Sequence, residues 1–356
     1  MGSDQSLRLT MLKRALWSLL GVFVGLLGLG LVLLIQATDN PDYEDISRQT
    51  LRGFDITSED ASYWTVDALD DRIVFSLAAW LGASSDFFRS GVESESFESH
   101  LASVRFLPNP SPQEGLYNVE ATTDEGIMYP GLSIYHWYGA TAPTLIYNHG
   151  ASQYPFDALF RSIFDADSLE EPLPVNLIVI RAPFHREGAS ELPRKAATLS
   201  RFMAALAVTV QMNEAVVQWA RGQGSTRIAI VGLSMGGFIA NRHHLHFNSA
   251  DYYIPVLAGT RFSDVFLNTS PAHPDALRAD KLAVLDFEAE WRLSRHENVF
   301  PVLGRSDQIS RLSIQGPSYG PTNVEIWDKG HISTATSVRA LRHIFLRHLI
   351  PDTTYL

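Results

Sequence analysis

The chain has 356 residues, 46% of them apolar and 19% charged, a composition that suits a folded protein with a sizeable core and excludes a disordered one. It contains no cysteine, which removes disulfides, cysteine-ligated zinc, iron–sulfur clusters and a thiol nucleophile. A net charge of −11 without any long basic run argues against nucleic acid as a partner.

Residues 1–14 form a short N-terminus carrying Arg8, Lys13 and Arg14. From Ala15 to Ile35 every residue is apolar or glycine except Ser18. As a helix this run would measure about 31 Å, close to the hydrocarbon thickness of a bilayer. Basic residues before it and Asp39, Asp42, Glu44 and Asp45 after it place the N-terminus in the cytoplasm and the rest in the periplasm or outside the cell. Residues 15–36 are therefore expected to be an uncleaved transmembrane signal-anchor, with 15–35 as the part in contact with the membrane. A cleavable signal peptide is the rival, but its apolar region runs to about 7–15 residues, and no A-x-A site succeeds the run here. One acidic residue precedes position 37, so the exported remainder is strongly acidic. The helix, not charge, must hold it at the membrane.

Residues 37–115 read as a membrane-proximal region. The stretch 37–60 is acidic and polar, a linker. Residues 62–90 look helical, with Trp64, Val66, Leu69, Ile73, Phe75, Leu77 and Leu81 among acidic residues, and are placed to pack beside the C-terminal part of the chain. The region ends in Pro108-Asn109-Pro110-Ser111-Pro112.

From residue 116 the pattern changes, and 116–356 reads as a catalytic domain. Eight short β-type runs occur at 116–121, 132–138, 144–147, 175–180, 227–231, 253–257, 299–303 and 323–327. Helical stretches at about 193–222, 235–247 and 334–349 alternate with the later ones. Short apolar runs separated by helices predict an α/β fold: a mostly parallel, eight-stranded sheet with helices on both faces, the first strands antiparallel. In such sheets the site lies beyond the strands' carboxyl ends. Residues 259–298 read either as a cap over that site or as a packed connecting helix.

One motif carries chemistry. Gly232-Leu233-Ser234-Met235-Gly236 comes after an apolar run and opens a helical stretch. This G-x-S-x-G pattern at a strand-to-helix turn lifts a serine hydroxyl clear of the backbone, with small neighbours avoiding clashes. A serine needs a base, and the base an orienting acid. After the last strand comes Asp328-Lys329-Gly330-His331, and after the one before it Gly304-Arg305-Ser306-Asp307. The chain order is then Ser234, Asp307, His331. Asp307 also reads as a turn residue capping a helix near Ile309, and Asp328 is the rival acid.

These segments resemble those of the α/β-hydrolases over about residues 116–350, with no closer subfamily identified. The resemblance implies an esterase- or lipase-like serine hydrolase: Ser234 as nucleophile, His331 as general base and acid, Asp307 as orienting acid, and no cofactor. It implies an oxyanion hole built from the N–H of Met235 and a second donor in Asn148-His149-Gly150-Ala151-Ser152, with Ala151 favoured over Ser152. His149, Gly150, Ser152 and His185 are expected to border the pocket. His243, His244 and His246 are read as structural, since no carboxylate is spaced to complete a metal site. The expected substrate is a small-molecule or lipid ester. The alternative is a non-catalytic, membrane-tethered binding protein of the same fold. The sequence leaves the oligomeric state open.

Overall fold

The computed structural model describes residues 40–80, 86–107, 115–164, 173–269 and 272–350. Among the described residues twelve strands occur in chain order: β1 Arg48–Arg52, β2 Arg105–Leu107, β3 Gly115–Asn118, β4 Glu120–Thr123, β5 Gly126–Met128, β6 Gly131–His136, β7 Thr144–Asn148, β8 Asn176–Arg181, β9 Ile228–Leu233, β10 Tyr252–Val256, β11 Val302–Gly304 and β12 Asn323–Trp327. The helices are α1 Val66–Trp80, α2 Phe97–Ser103, α3 Ala158–Ile163, α4 Glu191–Lys195, α5 Leu199–Gln223, α6 Met235–His246, α7 Ser263–Thr269, α8 Ala279–Leu282, α9 Glu288–Trp291, α10 Leu312–Ser318, α11 His331–Thr336 and α12 Val338–Leu346.

Nine strands form one sheet in the order β1-β12-β11-β10-β9-β7-β8-β6-β3. The run from β12 to β8 is parallel. β6 and β3 extend it antiparallel at one edge, and β1 pairs antiparallel with β12 at the other. Successive side chains of the central strands point to opposite faces. Ile146, Ile178, Ile180, Ile228 and Ile230 join the core formed with α5 and α6. Leu145, Tyr147, Leu177, Val179 and Val231 join the core formed with α3 and α12. Both faces are therefore covered, which is why these strands read as continuous apolar runs. A small antiparallel sheet, β2-β4-β5, adds Ala121 and Met128 to the first of these cores.

Each of the eight expected strands contributes to the large sheet. The expected first run, 116–121, is divided between β3 and β4, so that only its first half lies in that sheet. The expected 193–222 helix is likewise two helices. Thr198 caps the second by accepting a hydrogen bond from Arg201 N–H, which obliges the chain to turn there.

Two expectations are corrected. Among the described residues the sheet has nine strands, not eight, and 37–60 is not simply a linker. Arg48–Arg52 supplies the ninth strand, in register from Arg48 opposite Trp327 to Arg52 opposite Asn323. Its half-buried, half-exposed alternation suits an edge strand. Residues 259–298 divide between the cavity wall and the core. α7 borders the site cavity, whereas Leu282, Leu285, Phe287 and Trp291 are fully buried in the core.

Among the described residues no helix is long and apolar enough to cross a membrane. The expected anchor at 15–36 and the N-terminus at 1–14 lie outside the described residues.

Candidate active site

Ser234 stands between β9 and α6 with φ 54° and ψ −118°. A non-glycine residue with positive φ is strained unless its surroundings over-determine it. Here they do. Ser234 N–H donates to Val256 O on the neighbouring strand at 2.8 Å, and Ser234 O accepts from Gly237 N–H at 2.8 Å. The flanking glycines are sterically required. A Cβ on Gly232 would lie 2.2 Å from Gly236 O, and one on Gly236 would lie 2.1 Å from Asn148 O. The N–H groups of Met235 and Gly236 open α6 ahead of its first i-to-i−4 bond and carry the positive end of the helix dipole.

His331 is the first residue of α11, shortly beyond the end of β12. Its Nδ1 lies 2.8 Å from Asp307 Oδ2. Asp307 comes after β11, and its other oxygen accepts from the N–H groups of Ile309 at 2.7 Å and Ser310 at 2.8 Å. The turn-capping reading and the orienting reading of Asp307 thus describe two oxygens of one carboxylate. Asp328, the rival acid, is engaged elsewhere. It accepts from Ser47 Oγ and pairs with Arg305, and so ties β1 to the end of β12.

A residue that the sequence pattern does not single out completes this corner. Asp71 of α1 is buried, and its Oδ2 accepts from His331 N–H at 2.8 Å and Gln308 N–H at 3.1 Å. Its Oδ1 accepts from Ile332 N–H at 3.0 Å. One carboxylate thus holds both the loop carrying Asp307 and the start of the helix carrying His331. Gly330 lets α1 come this close, because a Cβ there would lie 3.0 Å from Asp71 Oδ2 and Asp67 O.

The electrostatics arise from crowding two carboxylates around one imidazole. Burial pulls His331 toward its neutral form. The charge and hydrogen bond of Asp307, with the charge of Asp71, outweigh burial and leave its pKa raised. Burial and the Asp307 charge push Asp71 up to about 6, against the pull of His331 and the backbone N–H groups.

The loop after β7 carries His149, Gly150, Ala151 and Ser152. Ala182 N–H donates to His149 Nε2 at 3.1 Å, so the hydrogen of the neutral ring is on Nδ1, 2.8 Å from Gly150 O. Burial keeps His149 well below its ordinary pKa. His185 Nε2 lies 2.9 Å from Ala151 O and its Nδ1 lies 3.0 Å from Pro183 O. Burial lowers this histidine too, and a neutral ring donates to one of these carbonyls at a time. In a trans peptide the carbonyl and the next N–H point opposite ways. Fixing the carbonyls of Gly150 and Ala151 therefore fixes the N–H directions of Ala151 and Ser152. His149 and His185 are buried, and they act on this loop from behind.

Gly150, Ala151, Ser152, Ser234, Met235 and His331 line one cavity of about 650 Å³. The rest of its wall is mostly apolar: Phe87, Phe202, Phe262, Val265, Phe266 and Ile309 are prominent. The other histidines singled out lie elsewhere. His243 bridges Glu214 and Tyr253, His244 contacts Asn248 and His296, and His246 stacks on Phe97.

No family model matches the chain, and no curated protein matches it. Among solved structures it is similar to an esterase of Pyrococcus furiosus, at 15% identity and a TM-score of 0.42 over 68% of this chain and 99% of that one. It is similar to acetyl xylan esterase 1 of a Thermoanaerobacterium species, at 12% identity and a TM-score of 0.43 over 72% of this chain and 96% of that one. It is also similar to an α/β serine hydrolase without lid from Xanthomonas campestris, at 14% identity and a TM-score of 0.41 over 69% of this chain and 100% of that one. By its own strand order, and by the place of the serine turn after β9, the chain has the α/β-hydrolase fold.

Proposed function

We propose that the chain is a serine hydrolase that cleaves carboxylic esters through an acyl-enzyme on Ser234. The carrying observation is that the strained Ser234 and the Asp307-paired His331 border the same apolar cavity. Ser234 Oγ attacks the ester carbonyl while His331 Nε2 takes its proton. Asp307 holds the ring by its Nδ1–H and stabilises the imidazolium that forms. The oxyanion rests on the N–H groups of Met235 and Ala151, each such donor contributing about 2.7–4 kcal/mol to the transition state. The imidazolium returns its proton to the leaving alcohol. Water, activated by the same histidine, then releases the acid.

The cavity wall supports an apolar acyl portion, because the side chains near Ser234 offer dispersion contacts and few polar partners. The apolar run 15–35 supports anchoring of the chain in a membrane, with the catalytic domain outside the cytoplasm. Such a location favours lipidic or membrane-derived esters.

Steady-state hydrolysis of aryl esters of rising acyl length tests the reading. Turnover that peaks at medium or long acyl chains and is lost in Ser234→Ala is expected. Turnover retained by Ser234→Ala refutes the nucleophile, and a strict acetyl preference refutes the acyl cavity.

A further inference from the structure

Over Val66–Ile73 helix α1 turns large apolar residues outward. Ala68, Asp70 and Asp71 are buried, while Val66 is 71% exposed, Leu69 56% and Ile73 37%, with Trp64 just before the helix at 93%. Positions 66, 69 and 73 lie on one helical stripe. A helix resting on a protein core in water normally shows the reverse, and a contiguous exposed apolar stripe marks a surface that something else covers.

The path of the chain says what covers it. β1 begins with Arg48 opposite Trp327, the last residue of β12, so the chain joins the sheet at its carboxyl, catalytic end. Upstream, Arg339 near the start of α12 binds Asn40 through its backbone N–H and its guanidinium. After β1 the chain climbs back beside α10, with Tyr63 OH 3.1 Å from Ser313 Oγ and Ser62 N–H on Arg305 O at 3.0 Å. It then delivers α1 to the catalytic end, where Asp71 meets His331. The apolar run ends at Ile35, five positions before Asn40. Five residues reach at most about 17 Å.

We infer that α1 lies on the bilayer surface with Trp64, Val66, Leu69 and Ile73 at the headgroup–acyl boundary, so that the catalytic end faces the membrane. This rests on residues 15–35 being the membrane segment and goes beyond ester hydrolysis itself. Charge does not drive the contact, because the chain is acidic overall. Apolar burial drives it, and tryptophan suits that depth. A stripe of this size binds a membrane weakly by itself. The tether makes docking intramolecular, so a high effective concentration compensates for weak intrinsic binding. Ile332 and Ala335 of α11, which packs against α1, line the cavity and place it beside the docked face.

The test uses the full chain in phosphatidylcholine vesicles. The chain has no cysteine, so Leu69→Cys and Leu293→Cys each accept a single environment-sensitive label. Leu293 is 90% exposed and lies shortly before Val299, which bridges to Tyr253 near the amino end of β10, the opposite end of the sheet. Lipids brominated along their acyl chains are expected to quench the label at 69 by about twofold or more and to leave that at 293 unchanged. Equal behaviour at both positions overturns the inference. So does a label at 69 that reports an apolar setting but resists quenching, since protein then covers the stripe, either this chain's own N-terminal segment or a second copy. The variant Leu69→Ser with Ile73→Ser is expected to lose about tenfold on a bilayer-embedded ester while keeping its rate on a soluble one. An unchanged rate on both esters also overturns the inference. Selective quenching at 69 in a chain that hydrolyses neither ester supports docking and sinks the hydrolase reading alone.

Discussion

Asp71 Oδ2 lies 2.8 Å from the backbone nitrogen of His331, which makes a helix outside the central sheet part of the candidate catalytic centre. The same carboxylate holds Gln308 and Ile332, and so fixes the His331 helix to the Asp307 loop. The protonation of His331 is expected to carry a signature of this arrangement. As a general base His331 works in its neutral form, so kcat/KM should rise with pH through a value above the ordinary histidine pKa. Removing the Asp71 charge removes one cause of that elevation. Asp71→Asn should therefore move the acid limb to lower pH, and kcat should fall because the amide cannot accept all three N–H groups. A pH–rate profile of both proteins checks this, and an unmoved acid limb contradicts the assignment.

The pairing of Asp307 with His331 gives a second expectation. Asp307→Asn should lower kcat by about 10⁴-fold, as the amide favours the wrong imidazole tautomer. The amide oxygen can still accept from Ile309 and Ser310, so the variant should remain folded. Circular dichroism with active-site titration separates the two effects. Asp328→Asn should keep the parent kcat on a soluble ester, since Asp328 faces Ser47 and Arg305.

Glycine at the elbow is a steric requirement. In Gly236→Ala the new Cβ meets the backbone of Asn148, which cannot yield without breaking β7 from β9. A loss of about 4 kcal/mol or more is expected, in the range reserved for core strain. Thermal unfolding of this variant against Gly222→Ala, at an exposed helical position with open space around it, measures it.

On the proposed ester reading, the cavity wall should set an acyl-length limit. Val265 of α7 faces the cavity with Phe262 and Phe266. Val265→Trp should shorten the preferred acyl chain by several carbons while leaving short-ester kcat near the parent value, each lost methylene contact being worth about 0.8 kcal/mol. A chain-length series on both proteins reads the shift.

The parts of this molecule legible in sequence are those fixed by local pattern. Strands β7 to β11 announce themselves as apolar runs because both of their faces are covered, and Ser234, Asp307 and His331 each come just after a strand end. What escaped depends on contacts between distant segments. β1 has one strongly apolar residue, Leu51, in Arg-Gln-Thr-Leu-Arg, and its place comes from the free edge of β12. Asp71 reads as one acid among Asp67 and Asp70, and only the tertiary fold turns it onto three backbone N–H groups. The 62–90 segment is helical over Val66–Trp80. Its apolar residues read as the packing side, yet Asp71 faces inward because the start of α11 offers unpaired donors there. The anchor expected at 15–36 is read from composition alone and lies outside the described residues.

The central claim is that Ser234 becomes acylated. Mass spectrometry of the full chain after exposure to a serine-directed covalent probe tests this most directly. A single adduct on the peptide carrying Ser234, lost in Ser234→Ala and slowed in Asp307→Asn, is the predicted result. An adduct elsewhere, or one that persists in Ser234→Ala, would contradict it.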